Sequence, residues 1–214
     1  MARVKALTLG IDSLTYKYFM KCNARNLLTL LDTTFRGVTE NTTVQNPPSA
    51  WLTVLTGKET RVQGFLTSVP EVPLIAETSA TVINIPLTNP TYGKPSFPMD
   101  VTVSAEEEIN AVRDAILEAL ESGPVIAAIT ALERISKSDV CSLYAAIDAA
   151  VRKVVLEADE FILFSPYGPK SQDGYDPYGV YLASRPRPNE HETVKLWEIG
   201  QVFRSMVRGS ASYF

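Results

Sequence analysis

The stretch Val4-Lys-Ala-Leu-Thr-Leu-Gly-Ile-Asp12-Ser13 decides the fold. Its apolar and β-branched residues make a strand, and Asp12-Ser13 is a helix-start signal, so the first strand ends in a carboxylate. The same grammar recurs downstream. Ala80-Thr-Val-Ile-Asn-Ile-Pro86 and Val125-Ile-Ala-Ala-Ile-Thr-Ala-Leu132 are nearly continuous in apolar character, as strands covered on both faces are. Phe161 to Phe164 and Val180 to Ala183 supply two more, separated by a loop rich in Gly, Pro and Tyr.

Between these strands the period changes to that of a helix. Leu14, Tyr18, Leu27, Leu30 and Leu31 predict a helix broken around Asn23 to Asn26, followed by an extended piece near Phe35 to Thr39. Asn46-Pro47-Pro48-Ser49 opens a short helix that stops at Gly57, proline being suited to the first helical position. Leu87 to Val103 is a loop long enough to imply a functional or covering role. Ser104-Ala-Glu-Glu107 is a capping box ahead of Ile109, Val112, Ile116 and Leu120, with Gly123-Pro124 as the stop. Ser138 opens a helix carrying Val140, Leu143, Ile147, Val151 and Val154. The last helix is read as Asn189 to about Val207, its Asn189/Glu192 box and its basic last turn agreeing with the backbone dipole.

Strands alternating with such helices predict a three-layer α/β/α sandwich with a mostly parallel sheet, and ligands in such sheets sit beyond the carboxyl ends of the strands. Asp12, the Leu132-Glu133 end and Ser165 fall there. At 214 residues and 45% hydrophobic content the chain is expected to form one domain spanning 1–214 with a substantial core. A net charge of −4 with scattered Lys and Arg argues against nucleic acid as a partner. There is no run of about 18 apolar residues, so no membrane partner is expected. Met1-Ala-Arg-Val-Lys leads into a strand rather than a signal segment, and Cys22 and Cys141 form no CxxC pair; a reducing compartment and a cytoplasmic location are the expectation.

Five segments in order resemble one family. Leu9-Gly-Ile-Asp12 resembles a "GLDG" strand, Asn26-Leu-Leu-Thr-Leu-Leu31 a "PNLxxL" helix, and Pro48-Ser-Ala-Trp-Leu-Thr-Val-Leu-Thr-Gly57 a "TAPAWTSFLTG" turn. Val82-Ile-Asn-Ile-Pro-Leu-Thr88 resembles "VINVPLTYPP", and Phe164-Ser-Pro-Tyr-Gly168 falls where "SDHG" is expected. These are motifs of the type I phosphodiesterase/nucleotide pyrophosphatase group of the alkaline phosphatase superfamily, here without the insertions that build the family's cap. The resemblance implies an alkaline phosphatase-like core and a two-metal phosphoester hydrolase, in which Thr or Ser attacks phosphorus while Asp and His hold two divalent ions.

Carried over position by position, the site is depleted. Asp12 matches the first aspartate ligand, but the nucleophile falls on Pro47, leaving Ser49 two residues away as a weak substitute. In Leu132-Glu-Arg-Ile-Ser-Lys137, which resembles "LDRIQH", the aspartate is Glu133 and the histidine is Lys137, whose ammonium cannot ligate. The Asp-His pair of "SDHG" is Pro166-Tyr167, and the third-histidine region offers only Tyr175 or Asp176. The resemblance therefore implies a catalytically degenerate relative, with no cofactor expected, that binds a protein partner or a small phosphate-like anion through Asp12, Glu133, Lys137 and Tyr167. The alternative is a hydrolase with a rearranged site that uses Asp12, Ser49, Glu133 and Asp173 or Asp176 around one Zn, Mn or Mg ion. A subunit of an assembly, including a homo-oligomer, stays open.

Each residue also has a plainer reading. Asp12 and Ser49 are more simply helix caps, and His191, the one histidine, is a solvated first-turn residue. Tyr167, Tyr175, Tyr178 and Tyr181 read as a docking surface or as loop packing. Glu106 to Glu108 read as acids favoured by the helix dipole. If Asp12 and Glu133 converge, Lys137 or Arg134 is the expected source of compensating charge.

Overall fold

The structure is a computed structural model that describes residues 3–42, 45–100, 103–134 and 139–209. In chain order its elements are β1 (Ala6–Ile11), α1 (Tyr16–Lys21), α2 (Arg25–Thr33), β2 (Phe35–Glu40), α3 (Pro47–Thr56), α4 (Pro73–Thr78), β3 (Thr81–Ile83) and α5 (Ala105–Leu120). There follow β4 (Val125–Ile129), a 3-10 turn (Ala131–Arg134), α6 (Val140–Glu157) and β5 (Glu160–Phe164). A small hairpin of β6 (Lys170–Ser171) and β7 (Gly174–Tyr175) precedes β8 (Tyr178–Ala183), β9 (Val194–Lys195) and α7 (Leu196–Arg208).

Seven strands form the main sheet in the order β3-β4-β1-β5-β8-β2-β9. Its pairings are parallel except for those that β8 makes with β5 and β2, so β8 alone runs against the rest. β1 lies in the middle with β4 on one side and β5 on the other, which brings the ends of three parallel strands together.

The side-chain period of a strand divides the core in two. Leu7, Leu9, Ala127, Ile129 and Leu163 face a layer containing α1, α2, α5 and α6. Ala6, Ile126, Ala128, Ile162 and Phe164 face a layer of α3, α4 and α7. This is the expected three-layer sandwich, and burial on both faces explains the nearly unbroken apolar runs. Gly10 sets how closely α3 approaches the sheet, and Gly200 how closely α3 and α7 approach each other. A Cβ at Gly10 would stand 2.3 Å from the Trp51 ring, and one at Gly200 would stand 2.5 Å from the Val54 carbonyl oxygen.

Most element boundaries agree with the periodicity, including the break between α1 and α2, the Gly57 stop in the left-handed region and the Ser104 cap. Three differ. The strand read as Ala80 to Pro86 is only Thr81–Ile83, because Asn84 turns to φ 56° and sends its side chain into a buried polar cluster. The strand read through Leu132 ends at Ile129, and the chain tightens into the 3-10 turn that carries Glu133. The last helix begins at Leu196 rather than Asn189, since the chain first pairs with β2 as β9; Glu198 then accepts from the Lys195 N–H. Ser138, expected to open α6, lies outside the described residues, and α6 begins after Asp139.

Cys22 and Cys141, which form no CxxC pair, are nevertheless joined in a disulfide, and this removes their support for a reducing compartment. Among the described residues, no helix is long and apolar enough to cross a membrane.

Candidate functional site

The carboxyl ends of β1 and β4 bring Asp12 and Glu133 to one place. Asp12 follows β1 directly, and its N–H donates to the Ile129 carbonyl at 3.1 Å, locking it to the end of β4. Its side chain is wholly buried. Oδ1 accepts a hydrogen bond from the Trp51 indole N–H at 3.2 Å, and Oδ2 has no partner among the described residues. Trp51 reaches it because Gly10 leaves the β1 backbone bare beneath the ring. Asp12 does not cap α1, whose first residue is preceded by Thr15, so the plainer reading of this aspartate is overturned.

Glu133 is held by hydroxyls. Ser13 donates to Oε1 at 2.5 Å and Tyr175, from β7, donates to Oε2 at 2.8 Å. Ser13 adopts φ 65°, a left-handed conformation that non-glycine residues rarely take and that is held here by its surroundings. Tyr167 is fully buried with its ring 4.3 Å from that of Tyr175. Burial pushes the Asp12 carboxyl well above the usual carboxylate range, and the nearby Glu133 charge adds to this while the Trp51 N–H opposes it. Burial likewise raises the Tyr167 phenol, and burial followed by the Glu133 charge raises that of Tyr175.

The other expected residues are elsewhere. Ser49 is buried in α3, and its hydroxyl donates to the Val62 carbonyl and accepts the Val62 N–H, so both its hydrogen-bonding functions are engaged. It is neither a free nucleophile nor the cap, because Asn46 caps α3 by accepting from the Ser49 N–H. Asp176 accepts from the Tyr178 N–H, and the Asp173 N–H donates to Ser171, both within the hairpin region. Lys137 lies outside the described residues. Arg134 does not serve the Asp12 site; it donates to Glu108, the Pro98 carbonyl and Thr130. His191 stands exposed in a turn before β9, not in a helix. Tyr167 and Tyr181 are buried, so the tyrosines pack the loop rather than form one docking face.

A second polar cluster, unforeseen in the sequence, adjoins the site. Glu108 is fully buried and accepts from Asn84, the Thr130 N–H, the Thr130 hydroxyl and Arg134. Its signal was its position four residues before Val112, on the apolar stripe of α5 rather than among the solvated acids of the first turn.

The donor set can be tested against the two divalent ions that the fold's hydrolases imply. Asp12 offers one unpartnered oxygen, both Glu133 oxygens are engaged by hydroxyls, and the flanking groups are phenols and an indole. Among the described residues, no three His, Cys, Asp or Glu side chains gather to hold a metal. These residues do not fit a pair of divalent ions.

The fold is alkaline phosphatase-like. The chain is similar to the alkaline phosphatase of the Antarctic bacterium TAB5, with a TM-score of 0.65 at 10% identity over 97% of this chain and 99% of that one. It is also similar to the PH0037 protein of Pyrococcus horikoshii, with a TM-score of 0.65 at 10% identity over 100% and 99% of the two chains. The phosphoglycerol transferase GacH of Streptococcus pyogenes, in complex with sn-glycerol-1-phosphate, gives 0.61 at 11% identity over 94% and 74%. No protein-family model and no curated protein matches the chain.

Proposed function

We propose that this chain is a catalytically degenerate relative of the type I phosphodiesterases/nucleotide pyrophosphatases, a trimmed alkaline phosphatase-like core that acts by binding rather than by hydrolysis. The observation that carries this reading is the surroundings of Asp12. The aspartate at the end of β1 is sealed under Trp51, and its neighbours are Glu133 and two tyrosines. Two-metal hydrolysis needs hard ligands around both ions to stabilise the attacking and leaving oxygens. The Ser49 hydroxyl donates to the Val62 carbonyl, and among the described residues no base accepts from it to activate it.

Metal analysis of protein purified without chelator, paired with turnover of bis(p-nitrophenyl) phosphate in added Zn, Mn and Mg, tests the reading. Substoichiometric metal and a rate no higher than that of Asp12→Ala are expected. One or two tightly held ions together with hydrolysis lost in Asp12→Ala would establish the rearranged hydrolase instead.

A further inference from the structure

We infer that the cavity beside Glu133 binds a small zwitterion, an α-amino acid with an apolar side chain of about leucine size. The inference rests on the non-catalytic reading of the same site and names its ligand class. The cavity has a volume of about 190 Å³ and lies between the turn after β1, the 3-10 turn, the start of α6 and the β6 strand. That is space for one small molecule rather than a single water, which takes about 30 Å³ of liquid.

Among the described residues, the two charged groups that line the cavity have opposite signs and do not meet. Glu133 is fixed in place by the Ser13 and Tyr175 hydroxyls, which use two of the roughly four lone-pair positions of a carboxylate and leave the others for a ligand donor. Lys170 lines the same cavity, is exposed, and forms no ion pair among the described residues; its ammonium rests 5.5 Å from the centre of the Tyr175 ring. An acid and an ammonium facing one small space are completed by a molecule that carries an ammonium for the first and a carboxylate for the second. A simple anion would meet Glu133, and a simple amine would leave Lys170 unanswered.

The rest of the lining is largely apolar, a surface for the side chain that an α-amino acid projects away from its two charges. Leu132 and Val140 contribute alkyl surface, and Tyr18 and Tyr144 contribute rings with centroids 5.5 Å apart. The Tyr144 hydroxyl accepts the Thr15 N–H at 3.0 Å, a contact that anchors the ring in the wall. Ser13, in its left-handed conformation, positions the hydroxyl that orients Glu133, a strained residue at the cavity edge of the kind that marks sites.

Calorimetric titration at neutral pH with L-leucine, 4-methylpentanoate and 3-methylbutylamine separates the contributions, since the second lacks the ammonium and the third lacks the carboxylate. L-leucine is expected to bind at least about tenfold more tightly than either, the equivalent of one charge-assisted hydrogen bond. Glu133→Gln should erase most of its advantage over 4-methylpentanoate, and Lys170→Met most of its advantage over the amine. Lys170 is exposed, so its variant reports on binding even if Glu133→Gln unfolds, which thermal melting of both variants checks. No binding of L-leucine at millimolar concentration, equal affinity for all three compounds, or an advantage over 3-methylbutylamine that survives Lys170→Met overturns the proposal. Metal content and phosphodiester turnover of the same preparation are measured in parallel. A metal-free, inactive protein that ignores leucine refutes the ligand class alone, whereas a metal-loaded, active one refutes the non-catalytic reading beneath it.

Discussion

At the scale of single residues, Asp12 carries the largest consequence. A carboxyl with one indole partner and one unpartnered oxygen in a dry interior is favoured in its neutral form. Because folding raises its pKa, the stability linked to its proton is fully present below the ordinary aspartate value of about 3.9 and is lost as pH rises through the folded value. Asp12→Asn removes that loss. Thermal melts between about pH 4 and neutrality should show a flatter profile for the variant, which should be the more stable of the two at neutral pH; a variant that melts below the parent at neutrality would refute this. Trp51→Phe keeps the ring but removes the N–H, and should cost about 1–3 kcal/mol, read by urea unfolding. Asp12 and Glu133 were legible in the sequence because the order of strands puts strand ends together, and Tyr167 because Phe164 to Gly168 falls where the resemblance puts a site motif. Trp51, Ser13 and Tyr175 were not, because their bonds to those carboxylates join residues 39, 120 and 42 positions apart and depend on how the layers close.

At the scale of elements, a cap built from local chemistry was legible and one supplied from elsewhere was not. Ser104 caps α5 by local chemistry, accepting from the Glu107 N–H, and any reader of the sequence finds it. The residue before α2 is Ala24, which has no side chain to offer. Asp148, from the middle of α6, supplies the missing acceptor to the Leu27 N–H at 2.8 Å and the Asn26 N–H at 3.3 Å, and also receives the Asn26 side-chain amide at 2.7 Å. A distant cap of this kind leaves no local pattern, so α2 was placed by its leucines alone. Asp148→Ala should cost about 1–3 kcal/mol, the range for leaving buried donors unsatisfied, and Asp148→Asn less, because one acceptor oxygen remains. A chemical denaturation midpoint unmoved in Asp148→Ala would remove the cap from this account. The Asn189/Glu192 pattern misled in the opposite direction. It is a genuine cap sequence, yet the pairing of Val194 and Lys195 with β2 takes the chain into the sheet before the helix begins.

At the scale of the molecule, the disulfide fastens one helical layer to itself. Cys22 ends α1 and Cys141 stands in the first turn of α6, 119 residues later, on the face that also holds α2 and α5. A cross-link over so long a loop removes entropy from the unfolded chain, an effect of typically about 2–4 kcal/mol, while the folded packing between α1 and α6 gives each cysteine a place with or without the bond. Neither half of the pair has a local partner, so spacing alone announces no bond; only the three-dimensional return of α6 to the end of α1 makes it. Guanidinium unfolding of the Cys22→Ser/Cys141→Ser protein should give a midpoint lower by the equivalent of about 2–4 kcal/mol, and the parent with excess dithiothreitol should fall to the same value. The comparison separates the cross-link from the side chains, since a loss caused by serine packing would appear in the variant but not in the reduced parent. Two thiols titrating in the native protein before any reductant is added, with a midpoint indifferent to dithiothreitol, would show that the cysteines meet without bonding and that packing alone joins α1 to α6.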